Sequence, residues 1–104
     1  MILNKVKITV IKKTIMEDLV EEYGGVALGI CTLHEEGQVY ICNEGWQKPD
    51  GLCDNAWKSM MEYVMALAHG GKNFYGGWIN NENVAIISCN DGLRPVIFKI
   101  EAIG

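Results

Sequence analysis

The chain lacks most of the features that assign a function directly. Lysine and arginine total 9 against 13 aspartates and glutamates, for a net charge of −4. There is no cationic footprint for nucleic acid or an anionic lipid surface, so neither is expected as a partner. The apolar runs are short and interrupted, and none would span a membrane. The opening MILNKVKITV has no ordered cationic start, long apolar stretch and small-residue cleavage site, so no signal peptide is expected. Among the four cysteines no C-x-x-C pair occurs, which removes the usual zinc-knuckle and thioredoxin spacings. Gly70-Gly71 and Gly76-Gly77 have no phosphate-loop context. There are no internal repeats, low-complexity tracts or linkers.

What remains describes one small globular domain over residues 1–104. Apolar residues make up 49% and charged residues 21%, enough to close a modest core. A cytoplasmic location is expected, where cysteines persist as thiols or metal ligands rather than disulfides. The apolar content and the loop aromatics together predict a homo-oligomer, a dimer or a trimer.

KVKITVIKK alternates Val6, Ile8 and Val10 against Lys5, Lys7 and Thr9, which predicts a strand with one buried face. TIMEDLVEEYGG is a short helix or an acidic loop. As a helix it would take Thr14 as its cap and Gly24-Gly25 as its stop. GVALGICTL is a short strand or a buried loop, and GQVYIC is a strand. The main helix is expected at about 54–69. There Trp57, Met60, Met61, Val64, Leu67 and Ala68 fall at helical spacing, with Asp54 as the N-cap and Gly70-Gly71 as the stop. VAIISC and RPVIFKIEAI are strands joined by NDGL, whose Asp91-Gly92 pair signals a hairpin. The expectation is an α+β fold: a small, mostly antiparallel sheet, the main helix packed on it, and a C-terminal β-hairpin.

Cysteines stand at 31, 42, 53 and 89. Cys31 follows a glycine-bounded segment, Cys53 precedes the main helix and Cys89 ends a strand. Ligands drawn from the ends of separate elements are how a folded domain builds a cysteine site. At a helix start, unpaired N–H groups and the dipole favour a thiolate, the form that binds metal or attacks. Cys53 is therefore expected to accept an N–H bond from residues 55–57 and to face a cavity. Asp54 tempers the effect with its own charge. Three readings stay open on the residues alone: packing thiols, a metal or cluster site, and reactive thiol chemistry.

GLCDNAW and CNDGLRPVIFKIE, with KITVIKKTIMEDLVEEY ahead of them, resemble a family of small proteins of anaerobic bacteria and archaea that carries no established activity. The likeness covers nearly the whole chain. The family pattern places cysteines in C-P-x4-G, in G-x-C-x-x-A-W, and just before D-G-L-R-P-V-x-F-K-I, its most specific motif. Mapped onto this chain they are Cys31, Cys53 and Cys89, with Trp57 and Arg94 as the aromatic and basic matches. Thr32 departs from the pattern, standing where the family has proline. Cys42 lies outside it.

The resemblance implies that three cysteines act together in an oxygen-poor setting. Three thiolates on a [4Fe–4S] cluster leave one iron open, for Lewis-acid or sulfur-transfer chemistry. The alternatives are zinc or a metal-free binding or subunit module, or a thiol enzyme using Cys53. Cys42 would close the site as a fourth ligand. Arg94 is the candidate for holding a small anionic ligand, with Trp57 beside it; otherwise Arg94 makes a salt bridge. His34 stands three residues past Cys31, close enough to donate to a site, but is expected in a solvated loop; His69 is expected at the helix end, where it complements the dipole. Trp46, Phe74, Tyr75 and Trp78 line a pocket or an interface, or cap the core. Glu17, Asp18, Glu21 and Glu22 are expected to form a solvated helix face.

Overall fold

The structure is a computed structural model that describes residues 3–104; Met1 and Ile2 of the opening segment lie outside the described residues. The order is β1 (Val6–Lys13), α1 (Glu17–Tyr23), β2 (Val39–Cys42), α2 (Asp54–Ala68), β3 (Val84–Ser88) and β4 (Val96–Ala102). The strands form one sheet in the order β2-β1-β4-β3. Every neighbouring pair is antiparallel. This is the expected α+β architecture, with β3 and β4 as the C-terminal hairpin.

The core follows from strand alternation. Val6, Ile8 and Val10 of β1 are fully buried. In β4, Ile100 pairs with Ile8 and Phe98 with Val10, so both strands turn the same face inward. The alternation stops at Ile11, where the register shifts between Val10 and Lys12, and Ile11 is left exposed.

Helix α2 covers that face, packing on β4, β3 and β1. Its buried residues are Ala56, Met60, Val64, Leu67 and Ala68, three and four apart. Each large side chain fully buried here contributes roughly 1.5–3 kcal/mol. The stripe runs through Ala56 and Met60, leaving Trp57 half-buried and Met61 exposed, one residue away from the expected centre. Gly70, in the left-handed region at φ 90°, turns the chain out of the helix. The N–H of Gly71 then bonds the carbonyl of Ala66 at 2.7 Å.

Two local expectations change. α1 begins after Met16 with no side-chain cap, so Thr14 does not cap it. The N–H groups of Thr14 and Met16 instead bond the carbonyls of Pro95 (3.0 Å) and Leu93 (2.9 Å), which holds this segment extended beside the hairpin. GVALGICTL is neither a strand nor a buried loop, because Val26 and Leu33 are exposed. Glu17, Asp18, Glu21 and Glu22 are all exposed, a solvated face. Among the described residues no helix is long and apolar enough to cross a membrane.

Candidate functional site

Cys31, Cys53 and Cys89 come from three different places in the chain and line one cavity of about 80 Å³. Cys31 lies in the loop between α1 and β2. Cys53 immediately precedes α2, and Cys89 immediately follows β3. All three are free and half-buried. Ala56 and Val96 give the cavity an apolar wall, and His34, Asn55, Asp91 and Arg94 bring polar groups to it.

Each thiol is positioned differently. Cys89 donates its N–H to the carbonyl of Val96 across the hairpin at 2.9 Å, and its Sγ accepts the N–H of Val96 at 3.4 Å. Cys31 is tethered through its carbonyl, which accepts from Lys13 Nζ at 3.1 Å. Cys53 is itself the N-cap of α2, displacing Asp54 from that role. Its thiol makes no cap hydrogen bond, contrary to expectation. A thiol is a weak acceptor, and this one lines the cavity while its carbonyl takes the N–H of Trp57 at 3.0 Å. Asp54 turns outward to Lys48, 2.5 Å away. The lysine's hydrogen bond and charge hold the Asp54 carboxyl below its ordinary value.

Cys42 is separate from this group. It is 1% exposed and does not line the cavity. Its Sγ lies 2.6 Å from the Glu44 carbonyl and 3.1 Å from that of Gln47. Burial pushes this thiol up, against the pull of those two backbone contacts.

His34 corrects the sequence reading. It is 2% exposed, not solvated. Its Nδ1 lies 2.9 Å from the hydroxyl of Tyr40, and Nε2 is buried with no hydrogen-bond partner. Leaving a buried polar atom unpaired costs roughly 1–3 kcal/mol. Burial pushes His34 below its ordinary value of 6.5, so the ring is neutral near pH 7. A signal was present in the sequence: C-T-L-H places a second donor three residues beyond Cys31, the spacing of a local chelate.

Arg94 makes a salt bridge and also reaches the cavity. Its Nε lies 3.3 Å from Asp91 Oδ2, and its side chain also lines the cavity. Asp91 is fixed in turn, with Oδ1 accepting the N–H groups of Leu93 (2.9 Å) and Arg94 (3.2 Å). Trp57 does not line the cavity and packs instead against the core. Phe74 and Tyr75 pack there too, around Tyr63, whereas Trp46 and Trp78 are exposed. His69 follows α2 and places Nδ1 2.7 Å from the carbonyl of Met65. A larger hollow of about 290 Å³ lies beside β2, but loop residues such as Glu44, Lys48 and Asp50 line it and no thiol reaches it.

Among the described residues, no three His, Cys, Asp or Glu side chains form a group that would hold one metal ion. The three thiols and the His34 ring share the lining of one cavity. Zinc in a structural site gathers its donors onto a single ion at about 2.3 Å for sulfur. On a cubane cluster each thiolate binds a different iron, so the donors stand around the group. Three sulfur donors and one imidazole are donor types that iron–sulfur clusters and zinc both take. Comparison of the chain with family profiles, with curated proteins and with solved structures finds no match.

Proposed function

We propose that this chain is a small cytoplasmic iron–sulfur protein in which Cys31, Cys53 and Cys89 hold a [4Fe–4S] cluster. The observation that carries the reading is the meeting of these three thiols, and not of Cys42, at one cavity. The motif likeness to the anaerobe family singles out the same three residues. A cluster held by three thiolates supplies one iron free of protein sulfur, for Lewis-acid or sulfur-transfer chemistry.

The chain's own residues define what reaches that position. The guanidinium of Arg94 is oriented through Nε by Asp91, which leaves its outer nitrogens to bind a carboxylate or similar small anion. Val96 and Ala56 keep one wall apolar and strengthen that contact by excluding water. Val96 also donates its N–H to the sulfur of Cys89, which orients that side chain at the cavity.

The test is anaerobic purification followed by reconstitution with iron and sulfide. Brown protein holding about four irons per chain is expected. Cys53→Ser should lose most of that iron and Cys42→Ser should keep it. A colourless chain that binds zinc stoichiometrically would favour the zinc reading, and one that binds neither metal would leave a thiol enzyme or a metal-free module.

A further inference from the structure

His34 has one nitrogen engaged and one left over. Its ring is wedged edge-on between Phe98 and Tyr40, with centroids 5.5 and 5.7 Å away and planes at 83° and 87°. Tyr40 holds Nδ1 and does not line the cysteine cavity. His34 does line it, and Nε2 is the atom without a partner. Nearly all buried polar atoms in folded proteins are hydrogen-bonded, so an orphan beside three thiols calls for an occupant.

We propose that Nε2 of His34 is the fourth donor of this site, binding the iron that the three thiolates leave free. The proposal rests on the cluster reading above and deepens it. Ligating histidines almost always donate their other ring N–H to a fixed oxygen, which sets the tautomer. The 2.9 Å contact with the Tyr40 hydroxyl serves that tautomer: with Nδ1–H donating to Tyr40, the Nε2 lone pair is left for the metal. Cys31-x-x-His34 supplies two donors from one turn of loop, and Cys42 is turned away toward the Glu44 and Gln47 carbonyls. A neutral nitrogen also yields its place more readily than a thiolate. The Cys₃His set thus stays compatible with an anion arriving at Arg94.

The experiment uses the full chain labelled with 15N-histidine, reconstituted anaerobically with iron and sulfide and reduced with dithionite. Pulsed EPR of the reduced cluster then reads directly bound nitrogen. The sequence contains 2 histidines, and His69 is exposed, so a His69→Gln variant reports on His34 without disturbing the core. A 15N coupling present in wild type and unchanged in His69→Gln is expected, with loss of that coupling but not of the cluster signal in His34→Gln. Should His34→Gln fail to fold, the first two samples still decide. A cluster signal without nitrogen coupling, or a coupling lost in His69→Gln, overturns ligation by His34 and leaves the cysteine cluster standing. No cluster in wild type overturns both.

Discussion

The backbone N–H of Val96 points at the sulfur of Cys89 from 3.4 Å, while its carbonyl accepts the N–H of Cys89 at 2.9 Å. The hairpin therefore fixes both the position of this thiol and a donor aimed at it. Asp91 locks the turn between them by accepting two backbone N–H groups and facing Arg94. The Leu93 amide, above all, holds its carboxyl below the ordinary carboxylate value, with the Arg94 contacts adding to the effect. Asp91→Ala is expected to cost about 1–2 kcal/mol, the worth of those lost hydrogen bonds. It should also lower iron content, since Cys89 and Arg94 both lose their support. Chemical denaturation of cofactor-free protein reads the first effect; an unshifted midpoint would mean that the turn holds without Asp91.

Much of this arrangement was legible in the sequence, for identifiable reasons. Val6, Ile8 and Val10 alternate cleanly, and Asp91-Gly92 marks where the chain reverses between two apolar runs, so β1 and the hairpin were legible from local chemistry, although the connection is an irregular loop over 89–95 in which Gly92 does not take a positive φ. Cys53 and Cys89 stand at element ends, as expected, whereas Cys31 sits in an irregular loop and reaches the shared cavity without an element boundary to place it. The spacing of His34 from Cys31 was legible, but its burial was not. Its burial depends on an aperiodic loop folding over Phe98 and Tyr40, and no residue pattern marks that contact. The exchange of Cys53 for Asp54 as N-cap is a one-residue boundary, where propensity favours aspartate but Lys48 draws it outward.

Thiol reactivity should divide the four cysteines. Cys31, Cys53 and Cys89 are half-buried at a cavity that opens to solvent, whereas Cys42 is enclosed and burial raises its thiol. In native, cofactor-free protein near pH 8, three cysteines should react with a maleimide while Cys42 waits for denaturation. Mass spectrometry of digested protein identifies them. Equal labelling at all four positions would contradict the enclosed place of Cys42.

Stability should fall on the alkaline side. Burial raises Cys42 above its ordinary 9.0, and raises Tyr40 and Tyr75 above 10.0. Over that range the unfolded chain has released protons that the folded chain still holds, so the slope of unfolding free energy with pH is negative. The stabilisation carried by these neutral groups is complete below about pH 9 and is lost as pH rises through the folded values. Denaturant midpoints from pH 8 to 11 should decline, first through Cys42 and then through the tyrosines. Cys42→Ala should flatten the earlier part of the decline, and a wild-type profile that stays level to pH 11 would refute the assignment.

The last prediction concerns assembly. α1 is seven residues long and buries none of them. A helix this short has little stability in water without packing. Met16, Leu19, Tyr23, Val26, Ile30 and Leu33 are all exposed along this helix and the loop after it. The protein is correspondingly elongated, 49 × 31 × 20 Å. Leu33 also lines the cysteine cavity, so whatever covers the segment shields the mouth of the site. We propose a second copy of this chain as the cover, since a symmetric contact buries the same apolar segment on both partners at once. Sedimentation at micromolar concentration should therefore give two or three times the chain mass. Leu19→Lys combined with Tyr23→Lys should return the monomer without touching a cysteine, and should make the reconstituted cluster more sensitive to oxygen. Wild-type protein that sediments only as a monomer would rule out the assembly.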